Sequence, residues 1–548
     1  MEAIMKYATL DQTTCTQSSK QSVAVALLAT CHSWRAFVTC SLCSEYRILI
    51  DCSRNSVVTS FAKWPRHLLC APNLPSASLV KKVRLNIALW SSLMDGSALQ
   101  MFVNSQLSSI VFPAAHTLAV SIIDVAGVTN CSTDEIDRAN KFVSDLSRSI
   151  RSMMPNVRQI DISWPNVYHV GLKQGLVGIL NSSTAGLYHG IKQVSFTEYG
   201  GFEFPATIEP AGLNDITYLS FKCKSSISSF LGLARACSSS LIKLTIHDFP
   251  KDPTGPLYDE KGTASAVYSN LQKLYVAQDI GIQGLSLPKT KGIDHFPQLR
   301  SLEINCQYPF GDDVLLRGNA DTIEHICIPL DKSFMNMNSK SNIFLPERFK
   351  RLRSIKLLNY YGAHEMSQYD IDAINAFVFN VSRSAAGDNL QAVRWGGLSE
   401  RKRLFYGLTH NQKLRNLRVV ELSRSIFDFA ELVAILKAMP YLQRLWFSLD
   451  KKKHLVDGIA IPALPSYLIK NFCPLAKYLN SVTFDKESKA SVKQMAEAAM
   501  MLVLVSPNLV LSSIYTAKST GFHSAIGCAI KRNPFKEYVD RLSPLTNA

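Results

Sequence analysis

Two adjacent carboxylates, Asp312 and Asp313, follow a glycine in the middle of the chain. Neighbouring carboxylates on a tight turn can bind a divalent cation, which prefers oxygen ligands. Such a site needs further carboxylates on a compact support, and the flanking sequence supplies none. A carboxylate can instead accept backbone N–H bonds at a helix start and oppose the positive end of the helix dipole. We therefore predict that the aspartates cap a short helix at residues 314–317.

A second candidate for metal chemistry is the pair Cys40 and Cys43, which has the CxxC spacing of zinc ligands. Cys31, His32 and Cys52 lie nearby in the sequence, but no second ligand pair follows. Cys40 and Cys43 also fall one turn apart on a predicted helix, which indicates buried thiols. We predict no metal and no cofactor.

No sequence motif of an enzyme is present: there is no Walker loop, nucleophile elbow, HExxH or GxGxxG after a strand. The 12 histidines are dispersed along the chain. We predict that the protein is not an enzyme.

The dominant pattern is an apolar triplet at positions 0, 3 and 5. Leu299, Leu302 and Ile304 show it, and the same spacing recurs 24 residues later. Positions 3 and 5 share one face of a short strand, because successive side chains of a strand alternate. This is the L-x-x-L-x-L phrase of leucine-rich repeats. Fourteen such units begin at Val80, Ala115, Val157, Ile191, Ile216, Leu241, Leu271, Leu299, Ile323, Leu352, Leu390, Leu417, Leu442 and Leu479, at steps of 24 to 42 residues.

Three triplets follow a proline turn, and two of these turns follow a predicted amphipathic helix. The tripeptides at residues 154–156, 296–298 and 439–441 each carry a central proline just before the triplet, and predicted helices at 139–153 and 427–438 precede two of them. Proline stops a helix and biases the preceding residue toward extended backbone. The repeating unit is therefore helix, turn and strand. The Asn or Cys that usually follows the strand is mostly missing, so the repeats are degenerate.

These features predict an α/β fold, an irregular leucine-rich-repeat solenoid with parallel strands on the concave side and helices on the convex side. We expect three parts: a helical N-terminal segment at residues 1–55, a linker rich in Ser and Pro at 56–79, and about 14 irregular units over 80–548. No apolar run approaches the ~20 residues that a membrane span requires.

Residues 31–37, CHSWRAF, resemble the second half of an F-box. Residues 1–21 lack the Leu-Pro pair and amphipathic helix of the first half. The resemblance implies a substrate receptor of an SCF-type ubiquitin ligase, whose adaptor and cullin complex would contact Leu28, Cys31, Trp34 and Phe37. The alternative is that Trp34 is a core aromatic in a segment that only caps the solenoid.

The run at residues 308–320, YPFGDDVLLRGNA, resembles a segment in a family of mostly uncharacterised fungal proteins. These proteins pair an F-box-like N-terminus with irregular leucine-rich repeats. The family implies no catalytic residues.

Positions 2, 4 and 6 of each unit form what we call the concave face, and they carry polar, basic and aromatic side chains. Arg444 with Trp446, and Lys273 with Tyr275, are pairs of the kind enriched at interface hot spots. We predict that a protein partner binds this face. The candidate contact residues are Lys222, Lys243, His247, Lys273, Tyr275, Glu303, Arg394, Arg444 and Trp446.

The chain carries a formal charge of +16, from 59 Lys and Arg against 43 Asp and Glu. Its basic clusters are short and far apart in sequence, which favours solvated surface over nucleic-acid contact. Two alternatives stay open: a non-catalytic scaffold, and an RNA or membrane-surface binder that uses the positive charge. The 13 cysteines show no disulfide framework and no secretory signal opens the chain, so we predict an intracellular protein, cytoplasmic or nuclear. Its oligomeric state is left open.

Overall fold

The strands of the protein, in a computed structural model, follow one another at intervals that match the apolar triplets. The structure describes residues 44–51, 56–61, 77–89, 111–124, 134, 152–164, 190–198, 215–222, 234, 237–247, 267–277, 296–305, 316, 318–330, 349–359, 389–396, 415–427, 429–449, 476–484, 495, 498–499, 502, 506, 508–509 and 514–516. The chain divides into two units, Met1–Leu271 and Gln272–Ala548, called unit 1 and unit 2 below.

Unit 1 contains eight described strands. They are β1 (Glu45–Asp51), β2 (Ser56–Phe61), β3 (Lys82–Leu89), β4 (Thr117–Asp124), β5 (Gln159–Trp164), β6 (Gln193–Glu198), β7 (Tyr218–Lys222) and β8 (Lys243–His247), with a short 3-10 turn at Ala77–Leu79 before β3. From β3 to β8 each strand pairs in parallel with the next. β1 pairs in parallel with β3 and antiparallel with β2, so a hairpin covers the free side of β3.

Unit 2 contains nine described strands and one described helix of ten residues. They are β9 (Lys273–Ala277), β10 (Ser301–Asn305), β11 (His325–Leu330), β12 (Ser354–Asn359), β13 (Ala392–Gly396), β14 (Val419–Phe427), α1 (Phe429–Ala438), β15 (Arg444–Leu449), β16 (Ser481–Phe484) and β17 (Ile514–Thr516). The nine strands pair in parallel in chain order, with an irregularity in β14 between Leu422 and Ile426.

The triplets predict the strands closely. Each of the strands β3 to β16 begins at position 2 of one triplet. Position 3 of one repeat pairs with position 3 of the next repeat, as Leu274, Leu302 and Ile326 show. Apart from Trp395, whose side chain lies outside the described part, every triplet residue is buried. The register therefore confirms a leucine-rich-repeat solenoid with a long parallel sheet in each unit.

Helix α1 confirms the helix predicted at residues 427–438, although it starts two residues later, at Phe429. Leu432, Ile435, Leu436 and Met439 are fully buried at three- and four-residue steps, whereas Lys437 is exposed. This spacing places all four on the face that packs against the core. Pro440 follows directly and cannot continue the helix.

Within each unit, the turns that lead into the strands join neighbouring repeats through the backbone. The carbonyl at position 1 accepts the amide N–H groups of positions 1 and 2 in the next repeat. His116 O accepts from Arg158 N and Gln159 N, both at 2.9 Å. Several turns also close with a bond from the position-0 amide to the carbonyl three residues earlier, as in Leu299 N to Phe296 O at 3.0 Å. These bonds set the strand register before any side chain contributes.

An asparagine ladder that the sequence analysis missed lies one residue before the triplet. Asn156 Nδ2 donates to Pro113 O at 2.8 Å, and Asn508 Nδ2 donates to Lys477 O at 2.6 Å. Asn270 and Asn389 make the equivalent bonds to Ser239 O and Lys350 O. At these four turns an asparagine side chain therefore bonds to the turn of the preceding repeat.

The hairpin β1–β2 lies within the residues predicted to be the N-terminal segment and the linker. Ile48 and Ile50 on β1 are fully buried, and the Tyr46 ring lies 4.8 Å from that of Phe112. The sheet of unit 1 therefore starts at Glu45, ahead of the first triplet. The predicted three-part division is otherwise untested and stays a prediction. Among the described residues, no helix has the length and hydropathy needed to cross a bilayer.

Candidate functional site

In unit 1 the concave face changes character along the sheet. Near β1 its charges are paired: Arg84 Nε lies 3.0 Å from Glu45 Oε1, and Lys82 Nζ lies 3.7 Å from Asp161 Oδ2. On β7 and β8 the charged side chains are all basic. This end of the face holds the predicted residues Lys222, Lys243 and His247, all half-buried.

The position-4 side chains of the repeats that contain β7 and β8 are buried, although this position belongs to the concave face. Ser220 and Thr245 are buried there, because short side chains are covered by the longer ones on either side. Lys243 Nζ lies 4.5 Å above the ring of Tyr218, on the neighbouring strand. This cation–π contact fixes the lysine across two strands, with its charge at the surface.

At the start of unit 2 a hydrogen-bonded network spans three strands. The Asn305 amide donates to Tyr275 Oη at 2.9 Å and to Glu303 Oε1 at 3.0 Å. The Cys327 thiol donates to Asn305 Oδ1 at 3.4 Å. The network holds two predicted contact residues, Tyr275 and Glu303, in fixed positions. Lys273 is exposed beside them.

Burial raises the pKa of the Cys327 thiol to about 12, and the nearby Lys356 lowers it by a smaller amount. The pKa of His325, on the same strand, is lowered from its ordinary value by burial. The Glu324 carboxylate opposes this shift, and the cations Arg353, Lys273 and Arg394 add to it. His325 is therefore neutral at pH 7, and the charge of this face comes from Lys, Arg and Glu.

Farther along unit 2, Arg394 Nε lies 2.9 Å from Glu421 Oε2 on the next strand. Trp446 follows at the same register position as Glu421, and its side chain is 38% exposed. Arg444 is exposed beside it on β15. The structure thus brings together three predicted residues, Arg394, Arg444 and Trp446, on β13 and β15.

The sequence analysis missed Tyr515, which is 57% exposed and level with Thr483 at position 4. Its repeat departs from the triplet spacing, because the turn residue Leu509 is followed by Ile514 five positions later and by the polar Thr516. The signal that could have found it is Asn508, which makes the ladder bond of the turn. Trp446 and Tyr515 are the two large apolar side chains most exposed on the described concave face.

No group of three His, Cys, Asp or Glu residues that could hold a metal occurs in the described part of the chain. Asp312, Asp313, Cys40 and Cys43 lie outside that part, so the predictions made for them stay predictions. The same holds for the predicted adaptor contacts Leu28, Cys31, Trp34 and Phe37.

The class of protein that this fold defines is a leucine-rich-repeat solenoid. Among solved structures, an internalin of Listeria monocytogenes is similar at 12% identity, over 77% of this chain and 95% of that one, with a TM-score of 0.30. A chain of the Drosophila Toll–Spatzle complex is similar at 10% identity, over 88% of this chain and 70% of that one, with a TM-score of 0.26. Both TM-scores are below 0.5, so the fold assignment rests on strand register and triplet burial.

No protein-family model matches the sequence. No curated protein matches it either. The F-box and fungal resemblances have no support from these comparisons and stay predictions.

Proposed function

We propose that the protein is a non-enzymatic recognition module that binds a protein partner on its concave face. The observation that carries the proposal is the exposed aromatic pair Trp446 and Tyr515, which share one register row of unit 2, two strands apart. Neighbouring strands are about 4.8 Å apart, so the two rings are anchored about 10 Å from each other. Arg444 beside Trp446 adds the second residue type enriched at hot spots.

The scaffold favours binding because it keeps these side chains on paired strands. Side chains held on a parallel sheet lose less conformational freedom on association than side chains on loops. The Arg394–Glu421 ion pair is partly exposed, at 39% and 27%, and is therefore worth at most about 1 kcal/mol to stability. Its contribution is to order the face next to Trp446.

Affinity purification of the full chain from a nuclease-treated lysate tests the proposal. The variant Trp446→Ala with Tyr515→Ala should lose partner proteins that the wild type retains. Tyr441→Ala is the matched control, because Tyr441 is a 49% exposed aromatic on a turn rather than on this face. Equal recovery of every partner by the concave-face variant would contradict the proposal.

A finer proposal is that the partner is a substrate presented to an SCF-type ubiquitin ligase. Only the F-box resemblance at residues 31–37 supports it. In that role Trp34 and its helix would dock on the adaptor, while the concave face held the substrate. A pull-down of the full chain against the adaptor, with Trp34→Ala alongside, tests this role. Binding that the mutant loses would support the role, and no binding by a folded chain would refute it.

A plain scaffold is the second candidate, and the β1–β2 hairpin favours it. The hairpin covers the side of β3 that would otherwise be an open sheet edge, which is what a solenoid cap does. A folded chain that fails to bind the adaptor, but keeps its concave-face partners, would agree with this candidate.

A further inference from the structure

A second surface of unit 2 lies on the turns that precede the strands, apart from the concave face. We call it the turn edge. It consists of residues at positions −2, −1 and 1 of neighbouring repeats, and its basic and aromatic members from residue 350 to 478 are exposed. They are Lys350, Arg351, Arg353, Arg415, Arg418, Tyr441, Lys477 and Tyr478.

The repeat gathers charges that are far apart in sequence. Arg415 and Arg418 precede β14, and Lys477 precedes β16, two strands away. Strands β14, β15 and β16 are consecutive neighbours, so these cations lie within about 10 Å along the sheet direction. The cluster at Lys350 to Arg353 lies the same distance away on the other side of β14.

Little on this edge neutralises the cations. From residue 349 to 484, the described turns carry no Asp or Glu. Within the described part of the chain, Lys350, Arg351, Arg415 and Arg418 form no ion pair. Arg353 has one, at 4.0 Å to Glu324, which also pairs with Arg300 at 3.8 Å. The described part of the edge is therefore a strip of positive charge with one acidic partner, Glu324.

Two aromatic rings interrupt this strip. Tyr441 and Tyr478 are 49% and 43% exposed and stack on each other, with ring centroids 5.9 Å apart and planes inclined by 27°. Lys477 Nζ lies 5.8 Å from the centroid of the Tyr478 ring. Exposed rings flanked by cations are the combination by which proteins hold single-stranded nucleic acid: bases stack on the rings and phosphates meet the cations.

We propose that the turn edge of unit 2 binds single-stranded nucleic acid without strong sequence preference. Tyr441 and Tyr478 provide the stacking platform, and Arg415, Arg418 and Lys477 provide the phosphate contacts. An acidic peptide would also be attracted by the charge, but it would leave the paired rings unused. This binding is independent of the protein partner on the concave face.

Fluorescence anisotropy of the full chain with a labelled 12-nucleotide oligouridine tests the proposal at several salt concentrations. Tyr441→Ala with Tyr478→Ala should weaken binding about tenfold or more, because each base–aromatic stack is lost. Tyr441→Phe with Tyr478→Phe keeps both rings and should bind as the wild type does.

The triple variant Arg415→Gln, Arg418→Gln and Lys477→Gln should lower the slope of log K against log salt by about 2, since three phosphate contacts are removed. Its matched control is Lys81→Gln, Arg158→Gln and Lys192→Gln, which removes three exposed cations at position 1 in unit 1. The control should keep the wild-type slope.

An equal decrease of the salt slope in the charge variant and in its control would overturn the proposal, because binding would then follow net charge alone. Wild-type affinity in the tyrosine-to-alanine variant would overturn it as well. Displacement of the RNA by poly-glutamate at equal charge concentration would show that the edge takes acidic peptides instead. The salt slope of the charge variant decides the matter if the alanine variant does not fold.

Discussion

Two buried cysteines, Cys237 in unit 1 and Cys327 in unit 2, show how the packing of single residues affects stability. Neither forms a disulfide. Burial raises the pKa of each thiol to about 12, against an ordinary value of 9.0. The folded state therefore keeps both thiols protonated at a pH where the unfolded chain ionises them.

This difference predicts a loss of stability in alkaline solution. Because the folded pKa is raised, the contribution of Cys237 is fully present below pH 9 and is lost as the pH rises toward 12. At pH 10 the loss is on the order of 1 kcal/mol for this one thiol. Urea unfolding of the wild type and Cys237→Ala should show a stability gap that narrows from pH 8 to pH 10. The comparison cancels the titration of tyrosines and lysines. A gap that stays constant with pH would contradict the assignment.

At the scale of elements, the turns connect one repeat to the next. The asparagine ladder donates from position −1 to the carbonyl at position −2 of the preceding repeat, as Asn389 does to Lys350. These side chains are exposed, so water can replace the bond when it is lost. Each of these bonds is therefore a modest term, and it recurs at four of the described turns.

Removing one ladder bond should have a small but measurable effect. Asn389→Ala should lower the free energy of unfolding of unit 2 by about 1 kcal/mol, the usual value of such a hydrogen bond. Gln298→Ala is the matched control, because Gln298 occupies the same position and is exposed. Urea denaturation of both variants makes the comparison. A larger loss in the Gln298 variant than in the Asn389 variant would argue against the ladder.

The hairpin β1–β2 is the element whose removal should have the largest effect on solubility. A chain that begins at Ala62 lacks it, which leaves the backbone of β3 open to pairing with other molecules. We expect that chain to self-associate with rising concentration in size-exclusion chromatography with light scattering. A chain that begins at Ser44 keeps the hairpin and should behave as the full chain does. Identical behaviour of the two truncations would show that the hairpin is not a cap.

For the molecule as a whole, the sequence predicted the strands better than the surfaces. The 0/3/5 triplet identifies the fourteen strands β3 to β16, because burial demands apolar side chains at the same positions in every repeat. The triplet pattern did not predict β1, β2 and β17. The hairpin β1–β2 is a cap rather than a repeat, and in the last repeat Ile514 lies five residues after Leu509.

The concave face and the turn edge are formed by residues that become neighbours only when the repeats stack. These residues are far apart in the sequence, so the sequence alone does not show that they are neighbours. Arg415 and Lys477 are separated by more than sixty residues in the chain but by two strands in the sheet. The basic residues therefore looked dispersed, although the repeat places Arg415, Arg418, Lys477 and the cluster at 350–353 on one edge. Likewise, the Asn305 network could not be predicted, because it needs the side-chain geometry of three strands.

The central claim is that a protein partner occupies the concave face of unit 2. Site-specific photo-crosslinking tests it most directly, with benzoylphenylalanine introduced in place of Tyr515 in the full chain. The same probe in place of Tyr441 on the turn edge serves as the control. We expect protein adducts from the probe at Tyr515 and none from the probe at Tyr441. Protein adducts at Tyr441 together with none at Tyr515 would contradict it.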